Sequence, residues 1–148
     1  MTTTRTIQGS TATAARQATL TQQILLQLRH YIMQQLPQAP RLTAAASALH
    51  MSSRTLQRLL QQTNCSFRQL VNQCRHQLAQ QYLQEGSLSL QQIAYQLGFE
   101  EQSSFQKAFK CWQGCSPGSF RQHRQPVPGQ SQLIAARRAR IQVNYGIN

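Results

Sequence analysis

The sequence predicts an all-α fold: two helix-turn-helix subdomains, each a three-helix unit, joined by a long linker helix. Apolar residues recur at helical spacing from Ile24 to Phe120. Capping pairs and turn residues punctuate that periodicity at intervals that suit short helices. One pattern also occurs twice: Ala45, Ala46, Leu49, His50 and Met51 match Ile93, Ala94, Leu97, Gly98 and Phe99 at an offset of 48, and Leu56 matches Phe105 at an offset of 49.

Each element has its own warrant. Residues 1–20 are rich in Thr, Ala and Gln without sustained apolar periodicity, so a disordered lead is expected. Ile24, Leu28, Ile32 and Leu36 then share one helical face, and Pro37 and Pro40 end that helix. A short helix over about 42–49, a turn at His50 and Met51, and a helix over about 53–62 make the first helix-turn-helix, spanning about 42–62. Small Ala46 and its counterpart Ala94 permit two helices to cross closely.

Asn64 tolerates the left-handed backbone expected where the chain leaves the second of these helices. Ser66 and Gln69 form a capping box for the linker helix, about 66–84, which carries Phe67, Val71, Cys74, Leu78 and Tyr82 on one face, with Arg68 and Arg75 off it. Gly86 ends it. Ser89 and Gln92 form a second capping box, opening a short helix through Leu97 and a second helix-turn-helix over about 89–112. Ser116 and Pro117 pair an N-cap with a first-turn proline for a final helix over about 116–123. Pro126, Pro128 and Gly129 lead into a basic stretch with Arg137, Arg138 and Arg140, so residues 124–148 are expected to be a flexible tail.

Charge narrows the partner. The 148 residues carry fifteen Lys and Arg against three acids, Glu85, Glu100 and Glu101, for a net charge of +12. Gln fills many positions where an acid would compensate an arginine, which points to a polyanionic partner. Double-stranded DNA is the leading candidate and anionic membrane a distant second. Four cysteines, with no signal peptide and no apolar run of transmembrane length, suggest a reducing, cytoplasmic setting at the nucleoid.

Catalysis and metal binding lack the necessary groups. With no Asp, and with His30, His76 and His123 lacking a partnered Ser, Cys or Asp, no acid/base pair is expected, so no enzyme. Cys111, Cys115 and His123 fall one ligand short of a zinc site. Cys74 on an apolar face reads as packing, and Cys65 as an exposed thiol near a turn. No cofactor and no small-molecule effector site are expected.

From Ile93 onward the residues resemble the AraC/XylS family of bacterial transcription regulators. The pattern is carried by Ile93-Ala94, Gly98-Phe99, Ser103, Phe105, Lys107, Phe109-Lys110, Gly114, Pro117 and Phe120-Arg121, and less fully by Ala46, Leu49, Ser52, Leu56, Arg58, Arg75 and Ala79. The resemblance covers about residues 21–123. It implies two homeodomain-like three-helix units whose recognition helices enter successive major grooves. The base-facing positions it implies are Arg54, Gln57 and Arg58 in the first unit and Gln102, Ser103, Gln106 and Lys107 in the second. Arg suits guanine O6 and N7, and Gln suits adenine N6 and N7. Ser52, Ser53, Ser104, Lys110 and Arg121 suit phosphates, which fix register.

The sequence departs from the family pattern at three places. His50 replaces the usual turn glycine, Arg41 stands where Ser89 caps the equivalent helix, and Lys107 replaces the usual Arg, losing the planar fork. Most members carry a large N-terminal sensing domain, for which 20 residues leave no room. The expected protein is therefore a monomeric, sequence-specific regulator, with RNA polymerase a possible further partner. The alternatives are a nucleic-acid-coating protein without sequence preference and a truncated regulator acting as a protein-interaction module.

Overall fold

The computed structural model describes residues 7–123. Within them the chain forms seven helices and no strand: α1 (Ile7–Gln35), α2 (Leu42–Ala48), α3 (Ser53–Gln62), α4 (Phe67–Glu85), α5 (Leu90–Gln96), α6 (Gln102–Gln113) and α7 (Pro117–His123). The all-α expectation holds. The basic tail expected at 124–148 lies outside the described residues.

The chain divides into two compact units. One comprises the residues up to Gln35 with Pro40–Val71; the other comprises Leu36–Ala39 with the residues from Asn72. The first unit buries Leu28 and Ile32 of α1, Ala45 and Ala46 of α2, Leu56 and Leu60 of α3, and Leu70 and Val71 of α4. α1 packs on α2 and α2 on α3. The second unit buries Cys74, Leu78, Ala79, Tyr82 and Leu83 of α4, Ile93 and Ala94 of α5 with Leu97 at its C-cap, Phe105 and Phe109 of α6, and Phe120 of α7. Its aromatic rings form a chain, Phe99–Phe105 at 5.9 Å, Phe105–Phe109 at 5.8 Å and Phe109–Phe120 at 5.4 Å between centroids. Each such pair contributes about 0.5–1.5 kcal/mol beyond area burial.

Two expectations change. Residues 7–20, read as a disordered lead, continue α1 as helix, with residues 11–20 exposed. Their Ala content favours helix, Thr19 Oγ1 bonds back to the Ala15 carbonyl at 2.9 Å, and elongating a helix already anchored by Leu28 and Ile32 costs far less than nucleating one. On α4, Phe67 is only half-buried, and Leu70, Ala79 and Leu83 join the core because the buried stripe is wider than a single i, i+4 row.

The caps follow the sequence. Ser66 accepts from the Gln69 amide at 3.1 Å while Gln69 Oε1 accepts from the Ser66 amide at 2.8 Å. Ser89 and Gln92 repeat the arrangement at 3.1 and 2.9 Å. Ser116 accepts from the Ser119 amide at 3.2 Å. Arg41, as expected, gives α2 no side-chain cap.

Candidate nucleic-acid interface

The repeat seen in the sequence is reproduced bond for bond in the backbone. After α2, the Met51 amide donates to the Ala46 carbonyl and the His50 amide to Ser47, both at 3.0 Å; after α5, the Phe99 amide donates to Ala94 at 2.9 Å and the Gly98 amide to Tyr95 at 3.0 Å. Both are Schellman turns, closed by a left-handed residue: His50 at φ 56° and Gly98 at φ 83°. The same turn ends α3, where Cys65 donates to Leu60 and Asn64 sits at φ 52°.

Glycine is required at only one of the two helix-turn-helix turns for steric reasons as well. A Cβ on Gly98 would lie 2.5 Å from the Pro37 carbonyl oxygen. Arg75 closes the same turn from α4: its Nε donates to the Leu97 carbonyl at 2.9 Å and its guanidinium lies 5.1 Å from the centre of the Phe99 ring. Desolvation lowers the Arg75 pKa from its ordinary value, yet it stays charged at any physiological pH.

Each turn aims a following helix with one apolar and one polar face. Leu56 and Leu60 fasten α3, leaving Arg54, Gln57 and Arg58 exposed; Phe105 and Phe109 fasten α6, leaving Gln102, Ser103, Ser104, Lys107 and Lys110 exposed and Gln106 half-buried. The expected base-facing residues thus gather by helix, three on α3 and four on α6.

Among the five residues assigned to phosphates, two are engaged otherwise. Arg121 turns inward, where Nη2 donates to the Leu88 carbonyl at 2.6 Å and Nε is buried without a partner, so it ties α7 to the loop before α5 instead of facing solvent. The Ser52 hydroxyl caps α3, accepting from the Thr55 amide at 3.1 Å and pairing with Thr55 Oγ1 at 2.8 Å. Ser53 is half-buried, and Ser104 and Lys110 are exposed.

Three features escaped the sequence reading. Arg75 is legible in the sequence as a residue of the family pattern lying off the apolar face, but not as the clamp of a turn 22 residues away. Glu101, the N-cap residue of α6, makes no capping bond and instead accepts from the Ser103 hydroxyl at 3.2 Å. A network links α4 to the end of α6, where Gln113 Oε1 accepts from Gln80 at 2.7 Å and lies 2.7 Å from His76 Nε2.

Charge is divided unevenly. The first unit has seven arginines and no acid, whereas residues 72–123 set four basic residues against all three acids. No helix among the described residues is long and apolar enough to cross a membrane, and no group of three His, Cys, Asp or Glu among them could hold a metal ion.

Comparison with known proteins accords with this geometry. A family described as a helix-turn-helix domain matches residues 45–123. The ornithine utilization regulator of Pseudomonas aeruginosa is 36% identical over 99 residues, covering 67% of this chain and 29% of that protein. The chain thus spans less than a third of this relative. A DNA-binding transcriptional dual regulator from Escherichia coli K-12 superposes with a TM-score of 0.64 at 25% identity, over 67% of this chain and 89% of that one. The C-terminal domain of AraT, a response regulator from Geobacillus stearothermophilus, does so with a TM-score of 0.59 at 30% identity, over 72% and 89%. On the doubled Schellman turn, the motif residues and these matches, the chain belongs to the AraC/XylS family of helix-turn-helix transcription regulators.

Proposed function

We propose that the protein binds specific sequences in double-stranded DNA and regulates bacterial transcription, with α3 and α6 as reading helices in successive major grooves. The observation that carries this reading is the twice-built turn followed by a helix whose outward face bears donors. Two identical backbone motifs, each ahead of an exposed Arg, Gln or Lys row, suit the reading of two separate stretches of duplex. The DNA binding stated for the Escherichia coli neighbour supports the same reading.

Arg54, Gln57 and Arg58 read bases from α3, and Gln102, Ser103, Gln106 and Lys107 read them from α6. Each well-formed pair discriminates by about 1–3 kcal/mol. Ser53, Ser104 and Lys110 hold phosphates, joined at α3 by first-turn amides whose partial positive charge suits an anion. The protein acts as a monomer in the cytoplasm, at the nucleoid, with RNA polymerase the protein it meets at a promoter.

Selection of bound sites from random duplex DNA tests this. An enriched motif with two separated conserved blocks is the expected result. Enrichment no better than scrambled competitor at physiological salt would replace the reading with a nucleic-acid-coating protein. Failure to retain any duplex, alongside capture of a polymerase subunit, would replace it with an interaction module.

A further inference from the structure

We infer that a groove between α5 and the start of α6 is the seat of the chain's own basic segment, residues 137–141. The groove measures about 420 Å³ and lies wholly within the second unit. Buried Ala94 and half-buried Phe99 give it an apolar lining, and Gln91 and Gln102 supply side-chain amides. Tyr95 lines it as well, yet is 63% exposed.

Tyrosine is enriched where a surface meets a partner, because its ring is apolar and its hydroxyl can stay wet. The charge of the groove states which partner. Glu100 and Glu101 both line it, so two of the three acids in a chain of net charge +12 stand together at one cleft. Carboxylates beside an aromatic ring suit a guanidinium, which pairs with the first through parallel hydrogen bonds and stacks on the second. The groove therefore fits an arginine-rich peptide with an apolar residue for its lining.

The chain itself carries such a peptide. Residues 124–148 hold four arginines and no acid, and three of the four, Arg137, Arg138 and Arg140, lead directly into Ile141. α7 ends at His123 in the same unit as the groove, and Arg137 follows 14 residues later, a reach of up to about 46 Å. A body the size of residues 72–123 has a radius of gyration of about 10 Å, so the connection spans any face of it. Tethering also holds the segment at the groove at an effective concentration on the order of 1 mM, which an untethered basic protein has to exceed. The arginines answer the two carboxylates and Tyr95, and Ile141 answers the apolar lining.

The test compares the full chain with a full-length variant carrying Arg137→Gln, Arg138→Gln and Arg140→Gln. In two-dimensional NMR spectra, the amide signals of Tyr95, Phe99, Glu100 and Glu101 should differ between the two while those of α2 and α3 coincide. A fluorescent peptide of residues 131–145, followed by anisotropy, should bind the variant about tenfold more tightly than wild type, whose groove is already filled. Adding Glu100→Lys and Glu101→Lys to the variant should abolish that binding. Glu100→Gln alone, the milder change, should weaken it, and circular dichroism verifies that each variant keeps its helices. The inference is overturned if wild type and the variant take up the peptide equally, or if a scrambled peptide of the same composition binds as tightly. Groove signals that shift only as protein concentration rises would assign the seat to the basic segment of a second copy and overturn the intramolecular contact.

Discussion

His50 and Gly98 occupy the same place in two copies of one turn, and they differ in what the backbone asks of them. Both have positive φ, but only Gly98 is also crowded, by the Pro37 carbonyl. Gly98→Ala should therefore cost about 2 kcal/mol or more, combining left-handed strain with a displaced loop, while His50→Gly should gain up to about 1 kcal/mol. Urea denaturation of the two variants against wild type checks both signs. The reading faces separate in the same way: Arg58→Ala should relax preference at one base-pair position, whereas Lys110→Ala should weaken all sequences alike and reduce the salt slope by about one. Competition assays over single-substitution sites distinguish them, and identical behaviour would show that their roles were misassigned.

At the scale of helices and turns, what the sequence made legible was local. Ser66 with Gln69, Ser89 with Gln92, Asn64, Gly86 and Gly98 each act within a few residues of themselves, so the ends of α3 to α7 could be placed closely. What it concealed was contact across long separations. Arg75 reaches Leu97 and Arg121 reaches Leu88, and nothing in their immediate neighbours separates a buried, carbonyl-bound guanidinium from a solvated one. The first half of α1 was hidden for another reason: a helix extending into solvent needs no apolar period. Arg75→Ala should cost about 1–3 kcal/mol through the lost charge-assisted bond and ring contact. On the proposed reading it should blur the block assigned to α6 and spare the one assigned to α3, and site selection with the variant measures that difference; equal blurring of both blocks would mean that Arg75 does not act through the Leu97–Phe99 turn.

Over the whole molecule, charge is distributed unevenly. The first unit carries seven arginines and no acid, whereas the second sets Glu100 and Glu101 just ahead of the α6 helix. Affinity should fall steeply with salt, log K declining by about 0.9 per phosphate contact for each unit of log salt. Lys110→Ala should flatten that slope by about one, whereas removing Arg54 and Arg58, assigned to bases, should change it less than it changes sequence preference, and fluorescence anisotropy over a salt series measures both.

The aromatic chain of the second unit also determines what can be watched. Trp112, the single tryptophan of the chain, lies 6.2 Å from the Phe99 ring and 5.7 Å from that of His76, all within one unit. Indole emission is thus a private signal of that half, whereas far-ultraviolet circular dichroism sums every helix. Leu56→Ala, which empties only the core under α3, should cost about 2–5 kcal/mol and move the dichroism midpoint while leaving the emission curve in place. Superimposed curves in that variant would mean that the two halves unfold as one cooperative body.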